Sequence, residues 1–135
     1  MLLDATNGTE LVRGEKGDHS VREMAIAPDG SLVVTVSGQD DTLRIWDGAT
    51  GELLVTREYE DDDLLPDRLV FSPDGTVLAG VLDDGIVAFY DLESGRDYTQ
   101  LEAGRDVDAL AFSPDGTVLA TGVDGMVRLW GVAAP

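Results

Sequence analysis

A short block of residues occurs three times in this chain and constrains the fold more than any other feature of the sequence. The block joins an apolar stretch to a Pro-Asp-Gly turn, and its prolines lie 45 and then 41 residues apart. A period of about 40 residues is typical of repeat architectures, in which each unit is one supersecondary element packed on its neighbours. The three copies are 25–30 (AIAPDG), 70–75 (VFSPDG) and 111–116 (AFSPDG).

Two further markers recur in the same order after each block. The first is an apolar strand that ends in an aromatic residue, at 43–47 (LRIWD), 87–91 (VAFYD) and 127–131 (VRLWG). The second is a turn, at 47–51 (DGATG) and 91–95 (DLESG), with another copy at 4–8 (DATNG). Three markers in register over the whole chain indicate three copies of one structural unit.

Each unit is predicted to be β throughout. Val21 to Ala27 alternates apolar and polar residues, and the Pro-Asp-Gly turn that follows supplies a fixed φ at Pro and a positive φ at Gly. The next stretch, Ser31 to Val36, is almost continuously apolar, as in a strand buried on both faces. The third strand, Thr42 to Trp46, is followed by a more polar fourth, Glu52 to Glu58. Four short strands per unit, with the polar one outermost, are typical of a propeller blade.

These blocks together resemble the WD-repeat (tryptophan-aspartate repeat) β-propeller family, and the resemblance covers essentially the whole chain. It implies an all-β fold of three four-stranded antiparallel blades, with strands in the family order d-a-b-c, in a single segment over residues 1–135. The implied boundaries are an N-terminal d strand at 9–14, strands a to c at 21–46 with d at 52–58, strands a to c at 68–90 with d at 97–101, and strands a to c at 107–130.

The resemblance also implies a buried polar set that locks each blade. In the family this set joins a His before strand a, a hydroxyl in strand b, an Asp in the b–c turn and a Trp in strand c. The His has no counterpart at the usual spacing, and Val81 takes the hydroxyl position of the middle blade. The residues that match are Asp40, Asp84 and Asp124 in the turns, Ser37 and Thr121 in strand b, and Trp46, Tyr90 and Trp130 in strand c.

Composition excludes several kinds of partner and site. The 27 acidic and 9 basic residues give a net charge of −18, so nucleic acid and anionic membranes, which need clustered positive charge, are not expected partners. The chain has no cysteine, which excludes disulfides, thiolate catalysis and Cys-based zinc sites. No signal peptide or membrane-spanning run is visible, which favours a cytoplasmic location.

No residue pattern indicates catalysis, a cofactor or a metal site. His19 is the only histidine, and its neighbour Ser20 would point to the opposite face of a strand, so a hydrolase triad is not supported. The acidic run 58–63 (EYEDDD) could offer oxygen ligands to a hard cation, but it lacks the spacing of a calcium loop. A ligand- or metal-binding propeller is therefore a minor alternative.

Three blades cannot close a propeller, because such rings have about four to eight. The sequence begins at the end of one strand c and ends with another, so each chain is expected to donate its first strand to a neighbour's third blade. This predicts a homo-oligomer of two chains, or of three, which is favoured because the family tolerates wide rings. The rival hypothesis is a fragment, or an engineered or duplicated building block, whose only activity is assembly.

The favoured function is that of a non-enzymatic scaffold for protein–protein interaction. The d–a and b–c loops would form one face around the central channel, and their acidic character predicts a basic protein or peptide as partner. The candidate residues of this face are His19, Gln39, Tyr59, Glu60, Arg105 and Val123.

Overall fold

The computed structural model describes residues 2–3, 10–12, 20–93 and 97–132, and these residues form short antiparallel strands. Two single-turn 3-10 helices, at Asp62–Leu64 and Asp83–Gly85, interrupt them, and no helix in these ranges is long and apolar enough to cross a membrane. The strands are β1 (Leu2–Leu3), β2 (Glu10–Val12), β3 (Glu23–Ile26), β4 (Leu32–Ser37), β5 (Thr42–Asp47), β6 (Leu53–Glu58), β7 (Arg68–Phe71), β8 (Leu78–Val81), β9 (Ile86–Tyr90), β10 (Asp97–Glu102), β11 (Val107–Phe112), β12 (Val118–Val123) and β13 (Met126–Gly131).

The strands form three meandering sheets and one small hairpin. Sheet 1 has the order β3-β4-β5-β6, sheet 2 has the order β10-β9-β8-β7, and sheet 3 has the order β11-β12-β13, while β1 pairs with β2 alone. The expected all-β architecture of antiparallel blades is therefore confirmed. Sheets 1 and 2 have the four strands expected of a blade, and sheet 3 has three in the part of the chain described above, as its predicted strands a to c imply. A fourth strand supplied by a neighbouring copy stays a prediction.

The repeat in the sequence is a repeat in strand register. The first residue of the apolar block always faces the same position of the next strand, as in Ala25↔Val34, Val70↔Ala79 and Ala111↔Ala120. The hairpin between the third and fourth strands has a register shift at the same place in sheets 1 and 2, and the β1–β2 hairpin has the same shift. The matched pairs there are Ile45↔Val55 and Trp46↔Leu53, Phe89↔Thr99 and Tyr90↔Asp97, and Leu2↔Val12 and Leu3↔Glu10.

Two separate apolar cores hold the three sheets together as a stack. The first lies between sheets 1 and 2 and includes Val34, Ile45 and Tyr90. The second lies between sheets 2 and 3 and includes Phe89 and Leu119. Sheet 2 is thus buried on both faces, which explains why its strands β8 and β9 are almost wholly apolar. The first strands of the sheets are neighbours, with β7 next to both β3 and β11, as expected for the inner strands of adjacent blades.

Candidate interaction surfaces

Two of the sheets contain the same partly buried hydrogen bond between their second and third strands. In sheet 1 the indole Nε1 of Trp46 donates to Thr35 Oγ1 at 2.9 Å, and in sheet 3 Trp130 donates to Thr121 at 3.0 Å. Each threonine faces an arginine on the neighbouring strand, so the two positions are equivalent. The sequence interpretation that made Ser37 the counterpart of Thr121 is therefore wrong, and Thr35 takes that place.

Sheet 2 replaces this hydrogen bond with apolar packing. The strand register places Gly80, and not the predicted Val81, at the threonine position. A Cβ on Gly80 would lie 2.8 Å from Pro66 Cβ and 3.0 Å from the ring of Tyr90, so the missing side chain makes room for both. Burial raises the pKa of Tyr90 above its ordinary value, with smaller contributions from Tyr59 and Asp97. The hydroxyl of Tyr90 has no hydrogen-bond partner among the described residues.

We expect Tyr90→Phe to stabilise the chain. A buried hydroxyl without a partner costs about 1–3 kcal/mol, and phenylalanine keeps the ring that fills the core. The gain should be about 1 kcal/mol, or roughly 4 °C in thermal midpoint for a chain of this size. The matched control is Tyr98→Phe, because Tyr98 is 47% exposed and its hydroxyl can bind water. Equal midpoints for Tyr90→Phe and the parent chain would contradict the assignment.

Asp40 is the one turn aspartate of the predicted locking set that joins a side-chain network among the described residues. It accepts hydrogen bonds from Thr42 (2.7 Å) and from Arg44 (2.6 Å), and Arg44 also donates to Thr42. Burial would raise the pKa of Asp40, but the bonds from Arg44 and Thr42, the charge of Arg44 and the Ser37 hydroxyl together lower it to about 2. Asp84 and Asp124 instead adopt a positive φ, and they serve the geometry of their turns.

The Pro-Asp-Gly turns of sheets 2 and 3 are stabilised by one repeated set of hydrogen bonds. Ser72 Oγ donates to Asp74 at 2.6 Å and accepts from the backbone N–H of Val77, while the N–H and hydroxyl of Thr76 also donate to Asp74. The turn at Asp115 has the same set, from Ser113, Thr117 and Val118. Because these bonds favour the carboxylate, with the serine bond the largest cause, they lower the pKa of both aspartates to about 2.

The double variant Asp74→Asn/Asp115→Asn is expected to lose less stability than the parent chain between pH 4 and pH 2. A carboxyl whose pKa is lower in the folded state stabilises the fold above its unfolded pKa of 3.8, and this contribution disappears as the pH falls through about 2. Urea midpoints at pH 7, 4, 3 and 2 measure the difference between the two proteins. Asp124→Asn is the control for charge removal at a turn, and an identical pH response in both variants would refute the role of these hydrogen bonds.

The loops between strands d and a run beside the b–c turns at one end of the stack, which we call the loop end. Tyr59 N–H donates to Asp41 O, and Ala103 N–H donates to Gly85 O, both at 2.9 Å. Ser20 N–H donates to the side chain of Gln39 at 2.8 Å. The repeated contact between loop and turn means that both kinds of loop contribute to the same end of every sheet.

The loop end exposes only some of the residues predicted for an interaction face. Gln39, Glu60 and Arg105 are exposed. Val123 is only 4% exposed and belongs to the core between sheets 2 and 3, so its inclusion was wrong. Tyr59 is half-buried against the first core, and burial, aided by Asp97 and opposed by Arg57, raises its pKa to about 12. His19 lies outside the described residues.

Acidic side chains dominate the loop end. Within the described ranges, no group of three or more carboxylate or imidazole side chains is placed to hold a metal ion. Arg22 pairs with Asp67 at 3.6 Å, which ties the loop before β3 to the loop before β7. The exposed or half-buried acidic residues at this end include Asp41, Glu60, Asp61, Asp63, Asp67, Asp83, Asp84, Asp106 and Asp124.

The two outer faces of the stack form a second candidate surface. We call the face of each sheet that carries Trp46, Tyr90 or Trp130 its leading face, and the opposite one its trailing face. Sheets 2 and 3 pack apolar side chains of their leading faces on the preceding sheet. The leading face of sheet 1 leaves Met24 and Ile26 more than half exposed. The trailing face of sheet 3 leaves its apolar side chains uncovered, namely Ala109, Ala111, Val127 at 73% and Leu129 at 69%.

The repeats match a known family. The sequence profile described as "WD domain, G-beta repeat" matches residues 10–47 and 97–131, which together make up more than half of the chain. The chain belongs to the WD-repeat family. The matched segments take in strands of sheets 1 and 3, the two sheets with the Trp–Thr hydrogen bond. Most of sheet 2, where Tyr90 and Gly80 replace that pair, lies outside them.

Several curated proteins share part of this WD-repeat sequence. An uncharacterized WD repeat-containing protein of Synechocystis is 46% identical over 42% of the chain and 16% of its own length. Protein hir1 of Aspergillus terreus is 33% identical over 64% of the chain and 9% of its own length. Eukaryotic translation initiation factor 3 subunit I of Phaeosphaeria nodorum is 35% identical over 59% of the chain and 23% of its own length. The chain thus spans less than a quarter of these relatives.

Proposed function

We propose that this WD-repeat chain is a non-enzymatic scaffold for protein–protein interaction that assembles with copies of itself into a closed propeller. The observation that carries the proposal is the exposure of apolar side chains on the two outer faces of the stack. Val127 and Leu129 hold the positions that Val87 and Phe89 fill in sheet 2, where these side chains are buried by the next sheet. Large exposed apolar surfaces mark interaction sites in proteins of this size.

The pairing of β2 supports closure by strand exchange. In sheets 1 and 2 the third strand pairs with a fourth, whereas β13 has only β12 beside it in the part of the chain described. Strand β2 already has the register of a fourth strand, because it pairs with β1 as β6 pairs with β5. We infer that β2 pairs instead with β13 of a neighbouring copy, with Val12 opposite Leu129. Two chains would then form a six-bladed ring and three a nine-bladed one.

Disulfide trapping tests the exchange, because the chain contains no cysteine that could form other disulfides. Directly opposed residues of antiparallel strands have Cα atoms about 4.5–5.5 Å apart, which suits a disulfide. Oxidised Val12→Cys/Leu129→Cys is expected to give covalent dimers or trimers on a non-reducing gel. The control, Val12→Cys/Leu64→Cys, places the second cysteine at the loop end and should stay largely monomeric. Equal cross-linking of both double variants would refute the exchange.

We further propose that the loop end binds a basic protein segment. The acidic side chains around Glu60, Asp83 and Asp106 would attract a lysine- or arginine-rich peptide, and added salt screens such an attraction. The dissociation constant of an arginine-rich peptide, measured by fluorescence anisotropy, should rise at least tenfold between 50 and 300 mM salt. The charge-removing variant Asp83→Asn/Asp106→Asn should weaken the complex at low salt. Binding that is unchanged by salt would contradict the proposal.

A further inference from the structure

The leading faces of sheets 1 and 3 share a set of side chains. Strand register gives these faces six matching positions on their first three strands, of which three carry identical side chains, namely threonine, arginine and tryptophan, and three carry apolar ones. The set in sheet 1 is Met24, Ile26, Val33, Thr35, Arg44 and Trp46, and the set in sheet 3 is Leu110, Phe112, Leu119, Thr121, Arg128 and Trp130. A further pair at the loop end differs, with Ser37 and Thr42 in sheet 1 and Val123 and Met126 in sheet 3.

The leading face of sheet 2 is different. It carries Gly80, Ala88 and Tyr90 where the other two sheets carry threonine, arginine and tryptophan. This face packs on the trailing face of sheet 1, through the core that contains Leu43 and Ile45. The molecule therefore contains two kinds of junction between sheets, and the threonine-arginine-tryptophan kind occurs between sheets 2 and 3.

The free trailing face of sheet 3 resembles the trailing face of sheet 2, which takes part in the junction between sheets 2 and 3. Sheet 2 contributes Ala79 and Val87 to its trailing face, and sheet 3 has Ala120 and Val127 at the same positions. Sheet 1 has the larger Val34 and Leu43 there. Sheet 2 receives Trp130 on a face that has small or medium side chains at these two positions and Phe89 at a third, where sheet 3 has Leu129.

We infer that sheet 1 of a second copy of this chain packs on the trailing face of sheet 3, in the manner in which sheet 3 packs on sheet 2. This junction rests on the proposed self-assembly and names the surfaces that perform it. It is head-to-tail, because it joins two different faces, and such an interface closes into a ring when the rotation fits. Arg44 enters it already paired with Asp40, and its counterpart Arg128 stays exposed in the junction between sheets 2 and 3, so the junction leaves no buried unpaired charge at this position.

The net charge of −18 on each copy opposes the junction from a distance. Salt screens this repulsion between copies, since the Debye length falls from about 30 Å at 0.01 M to about 3 Å at 1 M. The apolar contact itself is not weakened by salt. Self-assembly should therefore tighten as salt is added, which is opposite to the response expected for a basic partner at the loop end.

Complementary blocking variants test the head-to-tail geometry. Ile26→Asp blocks the leading face of sheet 1, and Leu129→Asp blocks the trailing face of sheet 3; both side chains are more than half exposed, so the fold should persist. Each substitution should raise the dissociation constant of the homo-oligomer about 30-fold or more, as for a central interface residue. An equimolar mixture should form a dimer of twice 14.4 kDa, since one intact junction remains. Leu64→Asp, at an exposed leucine of the loop end, is the matched control.

The outcomes separate this junction from self-assembly in general. A parent chain that stays monomeric overturns both. A parent chain that assembles while Leu129→Asp keeps the same mass, or while the mixture of blocked variants stays monomeric, overturns the junction and leaves assembly to other surfaces. Leu129→Thr, which retains strand propensity, repeats the test if Leu129→Asp has lost its β-sheet circular dichroism spectrum.

Discussion

Replacing Gly85 with alanine is expected to destabilise the chain by about 3 kcal/mol, because it adds a steric overlap to the cost of a positive φ. Gly85 has φ +72°, which costs a residue with a Cβ about 1 kcal/mol. A Cβ at this position would also overlap the carbonyl oxygen of Gly104. The loop cannot move away freely, because Ala103 N–H donates to Gly85 O at 2.9 Å.

Gly125→Ala measures the free-energy cost of a positive φ without the steric overlap that Gly85→Ala adds. Gly125 has φ +76° in the equivalent turn of sheet 3, but a Cβ there would have no atom within 4 Å. Its replacement should therefore cost only about 1 kcal/mol. Urea unfolding followed by circular dichroism, with both variants at the same concentration, measures the difference. Similar losses for the two variants would mean that the contact between turn and loop at Gly85 is not tight.

Trp130→Ala is expected to cost about 3–5 kcal/mol, and Trp46→Ala about 2 kcal/mol less, in monomeric protein. Each substitution removes the same indole hydrogen bond to a threonine. Trp130 also packs into the core between sheets 2 and 3, whereas Trp46 lies on the leading face of sheet 1, at the outside of the stack. Thermal unfolding at low protein concentration compares them.

The same pair also reports on assembly. If sheet 1 of one copy packs on sheet 3 of another, Trp46 becomes an interface residue at higher protein concentration, and the cost of Trp46→Ala should rise towards that of Trp130→Ala. A difference between the two variants that does not change with concentration would argue against burial of Trp46 in an oligomer. Equal costs at every concentration would contradict the position of Trp46 at the outside of the monomer.

The three sheets could be predicted from the sequence because the turn blocks and the strand patterns of the repeat agree with one another. The Pro-Asp-Gly blocks define the turn between the first two strands, and the aromatic residue near the end of the third strand recurs at one register in every sheet. Ser37 was misassigned because the turn at Gly38–Asp41 has two more residues than the turn at Asp124–Gly125. Counting across the strand pair from Arg44, two residues before Trp46, rather than around the turn, leads to Thr35.

The packing of sheet 2 could not be predicted from the repeat, because it depends on the loop before β7. That loop has no matching sequence in the other repeats. Leu65 and Pro66 follow an acidic run and suggest a solvated loop, yet both are buried. Pro66 fills the space that Gly80 leaves. The contact between these two residues, which are far apart in the sequence, can be recognised only in the folded structure. Val123 was assigned to the surface because it adjoins a turn, but strand alternation directs its side chain into the core.

The decisive measurement of self-assembly is the mass of the unmodified chain, determined by light scattering over a range of protein and salt concentrations. We expect a defined oligomer of two or three 14.4 kDa chains that becomes more populated as either concentration is raised. A monodisperse monomer at every protein concentration, in low salt and in high salt, would contradict it.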